Sequence, residues 1–168
     1  MTARNIVLVG FMGTGKSTVG SLLAERLDWK FRDSDAVLEE EQQSRIADLF
    51  QQHGEAYFRT LESKTLAHIL EGERQVVATG GGAVLAESNR TCMLQNGLVV
   101  ALTASAETII ARVSSDTNRP LLQGNVEERV NTLLEQRKSS YDFAHTVIDT
   151  TELSTNEIVE LILAQVVK

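Results

Sequence analysis

Cysteine is almost absent from this chain: Cys92 is the only one in 168 residues. An internal disulfide is therefore impossible, and a reducing cytosol suits the sequence. Cys92 falls in a helix-like segment and reads as a small half-buried side chain rather than a catalytic thiol. Long apolar runs are missing too. None approaches the ~20 residues that span a bilayer, so no membrane association is expected. The N-terminus has no basic region followed by an apolar run, and no signal peptide is expected. Basic stripes with interleaved aromatics are also lacking. With a formal net charge of -7 and 5% aromatic residues, nucleic-acid binding is disfavoured. The three histidines, His53, His68 and His145, show no metal-ligand spacing. Neither Asn-Lys-x-Asp nor Asp-x-x-Gly occurs, which argues against a guanine-nucleotide switch. There is no internal repeat.

What remains is an ordinary globular balance, 42% hydrophobic and 23% charged, at a length that suits one domain, residues 1–168. One segment stands out. Gly10-Phe11-Met12-Gly13-Thr14-Gly15-Lys16-Ser17-Thr18 fits the phosphate-binding pattern G-x-x-x-x-G-K-[ST]. Glycines let backbone N–H groups close around phosphate oxygens, Lys16 supplies a point charge, and Ser17 offers a hydroxyl to Mg2+. The context fits. Ile6 to Val9 reads as a buried strand, and Val19, Leu22, Leu23 and Leu27 share a helical face whose N-terminus aims at the anion.

Strand candidates are Ile6 to Val9, Lys30 to Arg32, Val76 to Ala78, Leu98 to Leu102 and Thr146 to Ile148. Helical patterns cover Lys16 to Leu27, Asp35 to Gln52, Glu55 to Leu70, Glu87 to Gln95, Ala106 to Val113, Val126 to Tyr141 and Thr155 to Val167. Ser154 to Glu157 forms a capping box for the last. Short apolar strands alternating with helices indicate an α/β doubly wound parallel sheet. Two stretches break the rhythm. Residues 35–70 hold more helix than a crossover needs and suit a substrate-binding insertion. Residues 114–125 are polar, carry the only proline, Pro120, and read as a mobile lid or a plain surface connection.

Phosphoryl transfer with Mg2+ calls for a carboxylate near the loop. The third and fourth strands end without one, whereas the second ends in Asp33-Ser34-Asp35. One of these acids could face the metal and the other an acceptor hydroxyl; the alternative is a helix N-cap beside a solvated neighbour. Thr79-Gly80-Gly81-Gly82 follows a strand and suits close approach of backbone to a ligand, or a flexible turn. Arg59, Arg119 and Arg137 could each hold a carboxylate through paired hydrogen bonds, although an arginine taken singly is more often a surface charge.

These motifs in this order, with Gly54-Glu55 through Phe58-Arg59-Thr60-Leu61-Glu62 and Arg119-Pro120-Leu121-Leu122, resemble the shikimate kinases over essentially the whole chain. The resemblance implies a three-layer α/β/α P-loop kinase fold with a five-stranded parallel sheet. It implies ATP-dependent phosphorylation of the 3-hydroxyl of shikimate, toward chorismate and the aromatic amino acids. With a single cysteine a cytoplasmic location is expected, and with no extra apolar face left over a monomer is the default state. By resemblance, Gly13, Thr14, Gly15, Lys16, Ser17 and Thr18 hold the ATP phosphates, and Ser17 and Asp33 serve Mg2+. Asp35 binds the acceptor hydroxyl as candidate base. Arg59 and Arg137 clamp the shikimate carboxylate, Gly80, Gly81 and Gly82 bind through backbone amides, and Phe50 and Phe58 wall the pocket. Arg119 closes onto the phosphates, and Arg112 stacks near adenine. One departure stands out: Arg137-Lys138-Ser139-Ser140-Tyr141 lacks the proline that related sequences carry before the tyrosine, so the helix is expected to end differently there.

Overall fold

A computed structural model of the chain describes residues 3–114 and 125–167. Five strands, β1 (Ile6–Gly10), β2 (Lys30–Asp33), β3 (Gln75–Ala78), β4 (Leu98–Thr103) and β5 (Thr146–Asp149), form one sheet in the order β2-β3-β1-β4-β5. All pairs are parallel. The helices are α1 (Lys16–Leu27), α2 (Ser34–Gln42), α3 (Ile46–His53), α4 (Glu55–Ile69), α5 (Glu87–Asn96), α6 (Ala106–Val113), α7 (Val126–Gln136) and α8 (Thr155–Val166).

The central strand explains the layering. Every residue of β1 is buried, and its side chains alternate between faces with the two-residue period of a strand. Val7 and Val9 enter one core with Leu66 and Ile69 of α4, Met93 of α5, Ile109 and Val113 of α6 and Val130 of α7. Ile6 and Leu8 enter the other with Val19 and Leu23 of α1 and Ile158, Val159 and Ile162 of α8. Burying each such aliphatic side chain contributes about 1.5–3 kcal/mol. Helices α2 to α4 add a small core of their own, Leu38, Leu49 and Phe58, against which Phe50 packs.

Register places the chemistry. Asp33 pairs with Ala78, and Gly10 with Leu102. Because the strands are parallel, the phosphate loop, the Asp33–Asp35 turn and the glycine run after β3 all emerge at the carboxyl edge of the sheet, the usual binding edge of an open α/β sheet.

Two helical expectations need correction. Asp35 to Gln52 is two helices. Gln43 adopts a left-handed conformation (φ 50°), and its N–H returns to the carbonyls of Glu39 and Glu40. The Glu39 carboxylate then accepts from the Ile46 N–H at 3.0 Å and starts α3. The bend lets Leu38 and Leu49 meet Phe58, which outweighs the roughly 1–2 kcal/mol cost of a left-handed residue. Likewise α7 stops at Gln136 instead of reaching Tyr141. Arg137 to Ala144 form successive turns, with Ser140 N–H to Arg137 carbonyl at 3.0 Å and Asp142 N–H to Ser139 carbonyl at 3.2 Å. Serines compete with helical backbone bonding, and the turns bring both Arg137 and Tyr141 into the interior. The expected lid and Arg119 lie outside the described residues, apart from the flanking Ser114 and Asn125; Asn125 caps α7 through its side chain.

Candidate active site

The phosphate loop is bent by glycines where side chains do not fit the backbone. Gly13 and Gly15 have φ of 77° and 93°, values that L-residues adopt only with strain. A Cβ on Gly13 would also stand 2.9 Å from Val113 Cγ1, so α6 packs directly on the loop. The loop is internally bonded. Thr14 Oγ1 donates to the Phe11 carbonyl at 2.8 Å. Lys16 Nζ donates to the carbonyls of Gly10 (2.7 Å) and Phe11 (3.0 Å). Arg112 donates from α6 to the Gly13 carbonyl at 2.8 Å. Thr18 lies exposed on the first turn of α1.

Asp33 divides its two oxygens. Oδ1 accepts from the N–H groups of Asp35 (3.0 Å) and Ala36 (3.2 Å) and caps α2. Oδ2 accepts from Ser17 Oγ at 3.0 Å. The two alternatives left by the sequence are thus compatible: one oxygen caps and the other is joined to the loop hydroxyl. Among the described residues no group of three or more His, Cys, Asp or Glu side chains could hold a metal. A hydroxyl beside a single carboxylate oxygen nevertheless suits Mg2+, which takes few protein ligands and completes its octahedron with waters and phosphate.

Asp35 lies in the first turn of α2, with Oδ1 sealed from solvent and without a hydrogen-bond partner. Burial first, then the negative charges of Asp33 and Glu62, push its pKa up to about 7 against the opposing pull of Lys16. Glu62 is only 2% exposed. Its Oε1 accepts from Arg59 Nη1 at 2.9 Å, and its Oε2 has no partner. Burial raises the Glu62 pKa, with Arg59 opposing. Arg59 lies 5.2 Å from the centroid of the Phe58 ring, which tilts against Phe50 at 4.9 Å. Its Nη2 reaches Glu55 at 3.3 Å, while its buried Nε has no partner. Arg137 is 5% exposed, lies 5.8 Å from the Phe11 centroid, and keeps a buried Nη1 without a partner.

The glycine run is where these groups meet. A Cβ on Gly80 would stand 2.8 Å from Asp35 Oδ1 and 2.9 Å from Glu62 Oε2. One on Gly81 would stand 3.4 Å from the Met12 amide of the phosphate loop and 3.6 Å from Arg137 Nη1. One on Gly82 would collide with the Arg59 guanidinium. Among the described residues none of the three glycine N–H groups donates a hydrogen bond. Unpaired amides, two guanidiniums with one buried unpaired N–H each and two buried carboxylate oxygens, Asp35 Oδ1 and Glu62 Oε2, therefore meet at one turn. Such groups cost about 1–3 kcal/mol apiece when left unsatisfied and call for a ligand. Such a set could hold a small polar anion beside the phosphate loop.

A shikimate kinase family model matches residues 12–167. A shikimate kinase of Sulfurihydrogenibium sp. (strain YO3AOP1) is 44% identical over 163 residues, covering 97% of this chain and 98% of that protein. The chain belongs to the shikimate kinase family. The structure of the Acinetobacter baumannii shikimate kinase in complex with shikimate superposes with a TM-score of 0.94 at 39% identity, covering 98% of this chain and 93% of that one. A gluconokinase from Sinorhizobium meliloti 1021 shares only the fold, at a TM-score of 0.60, 22% identity and coverage of 98% and 91%.

For this member of the shikimate kinase family, most residues singled out in the sequence converge: the loop with Ser17 and Asp33, and Asp35, Arg59, Arg137 and Gly80 to Gly82 with Phe58 and Phe50 beside them. Arg112 joins the loop by a backbone contact. Two residues went unassigned. Glu62 had a readable signal, because Phe58, Glu62, Thr65, Leu66 and Ile69 are the buried stripe of α4 and a charge on such a stripe needs a reason. Tyr141, 8% exposed, donates its hydroxyl to the Gly81 carbonyl at 2.9 Å; no local pattern announces that contact. A separate groove of about 420 Å³, lined by Arg90, Glu135, Gln136, Lys138, Ser139, Ser140 and Phe143, shares none of the site residues. Cys92 is half-buried, and burial pushes its thiol up, away from reactivity.

Proposed function

We propose that the chain transfers the γ-phosphoryl group of ATP to the 3-hydroxyl of shikimate, releasing shikimate 3-phosphate and ADP. The observation that carries the assignment is the pair of arginines, buried Arg137 and half-buried Arg59, each with a sealed and unpaired N–H beside the glycine turn that adjoins the phosphate loop. A rigid ring bearing one carboxylate and several hydroxyls matches two guanidiniums, three amides and two carboxylate oxygens.

Arg59 and Arg137 hold the carboxylate, with Phe50 and Phe58 as the wall. Gly80, Gly81 and Gly82 donate to the ring substituents. Asp35 accepts from the 3-hydroxyl, aims its oxygen at the γ-phosphorus and takes its proton as the new P–O bond forms and the bond to ADP breaks. Gly13 to Thr18 cradle the phosphates, Lys16 leaving the Gly10 and Phe11 carbonyls to reach them, and Arg119 adds charge from the lid. Arg112 lies beside the adenine. Mg2+ held by Ser17 and Asp33 would neutralise charge on the phosphate oxygens. Positioning and electrostatics supply most of the acceleration. On this proposal residues 1–168 are one domain and work as a cytoplasmic monomer; among the described residues no helix is long and apolar enough to cross a membrane.

ADP release coupled to an indicator reaction tests the assignment. Release should depend on shikimate and fail with gluconate or nucleoside monophosphates in its place. Equal release without shikimate would overturn it.

A further inference from the structure

The glycine turn has three carbonyls, and they are held in different ways. Gly80 carbonyl accepts from the Ala83 N–H and Gly82 carbonyl from the Leu85 N–H, both at 3.1 Å, within the 3-10 turn Ala83–Leu85. Gly81 carbonyl has no local donor. Its partner is the Tyr141 hydroxyl, 60 residues away in sequence. Three successive glycines have the greatest backbone freedom of any run, so the middle peptide plane is the one most in need of an outside hold. That plane also carries the amide of Gly82 beside Arg59, and it adjoins the Gly81 amide beside Arg137 and Met12.

We propose that Tyr141 is a positioning residue for the acceptor site: its hydroxyl fixes the Gly81–Gly82 peptide plane so that the glycine amides face the bound acid. The inference rests on the acceptor-site reading above. Several features support it. Tyr141 is 8% exposed and belongs to the same core as Phe11 and Met12 of the loop and Ala83 of the turn. Burial pushes its pKa up, with Arg137 and Arg59 opposing, so the phenol keeps the proton it donates. The turns after α7 put Arg137 and Tyr141 on one inward face, so the clamp arginine and the hold on the turn come from one segment. A phenylalanine would fill the same space and leave the part-buried carbonyl without its donor, the costly half of a broken hydrogen bond.

Tyr141→Phe tests the proposal through two readouts. In the ligand-free protein, hydrogen exchange of the Ala83 and Leu85 amides should accelerate about tenfold, with the amides of β1 unchanged. In the enzyme, KM for shikimate should rise about tenfold, with kcat and KM for ATP within about twofold of wild type. Unchanged exchange at Ala83 and Leu85 overturns the hold on the turn. Faster exchange with a wild-type KM for shikimate overturns the positioning role. If β1 amides also accelerate, the hydroxyl serves the whole core and the proposal fails. Faster turn exchange in a protein whose wild type never uses shikimate would sink the functional assignment instead and leave the hold on the turn standing.

Discussion

The phosphate loop and the acceptor pocket touch at Met12 and Gly81, yet they rest in opposite states. The loop is closed on itself. Lys16, Thr14, Ser17 and Arg112 all bond to neighbours in the ligand-free protein, and ligand oxygens must replace those partners. The acceptor pocket is left open. Asp35 Oδ1, Glu62 Oε2, Arg59 Nε and Arg137 Nη1 are buried without partners, and a ligand supplies bonds that nothing else makes. A contiguous loop made of backbone can relax onto its own carbonyls. A pocket assembled from side chains on rigid helices cannot, so it carries its strain at rest. Stability given up at the pocket becomes binding energy when the acid arrives.

Four experiments can break or sharpen this contrast. Lys16→Ala should lower kcat about a thousandfold, since it removes charge from the transferring group, while shikimate affinity measured without nucleotide at about pH 9, above the range where Asp35 titrates, stays within about twofold. A large loss of shikimate affinity would show that the two regions are not separable. Arg59→Ala should raise KM for shikimate about a hundredfold and lower stability by about 3 kcal/mol, because buried Glu62 loses its partner. Adding Glu62→Gln should recover most of the melting temperature and none of the KM. Recovery of neither would mean that Glu62 is not an uncompensated charge in the single variant.

The third experiment varies pH. Asp35 is an acid whose folded pKa lies above its unfolded 3.8, at about 7. Burial favours its protonated form, so its contribution to stability is greatest at low pH and falls as pH rises from about 4 through 7. Binding runs the other way, since the acceptor hydroxyl needs the carboxylate. Calorimetric affinity for shikimate in nucleotide-free protein should drop about tenfold between pH 8 and pH 6, and Asp35→Asn should flatten the profile. A flat wild-type profile would place the carboxylate out of the hydroxyl's reach. The smallest effect concerns the glycines. Gly15→Ala meets no atom within 4 Å but has φ 93°, and should cost about 1–2 kcal/mol by denaturant unfolding. Gly81→Ala, with ordinary contacts at 3.4 Å and beyond, should cost no more than about 0.5 kcal/mol. The reverse order would mean that the turn is already tight without ligand.

Legibility in the sequence followed contiguity. The phosphate loop, its flanking strand and α1 could be read because all their parts lie within one short stretch and glycine leaves few alternatives. The acid pair Asp33 and Asp35, the glycine run and Arg59 could be named, but their convergence could not, since it depends on the register of β2 and β3 and on the packing of α4. The split between α2 and α3 was hidden because Gln43 has no special preference for a left-handed backbone. The end of α7 was only half legible: the altered stretch from Arg137 to Tyr141 signalled a different ending, but the stop at Gln136 and the turns after it depend on packing. Glu62 was visible as a charge on an apolar stripe, whereas the bond from Tyr141 to the Gly81 carbonyl was not.

Local chemistry along the chain determined the alternation of strands and helices, the anion-binding loop and the residue types available to the site, because backbone propensity, periodicity and glycine freedom act over a few residues. Tertiary structure alone decided which donors stay unpaired, which carboxylate is held near neutrality and which distant hydroxyl holds the glycine turn. Those outcomes depend on solvent exclusion and on contacts between groups far apart in sequence, and burial exists only once the layers have packed.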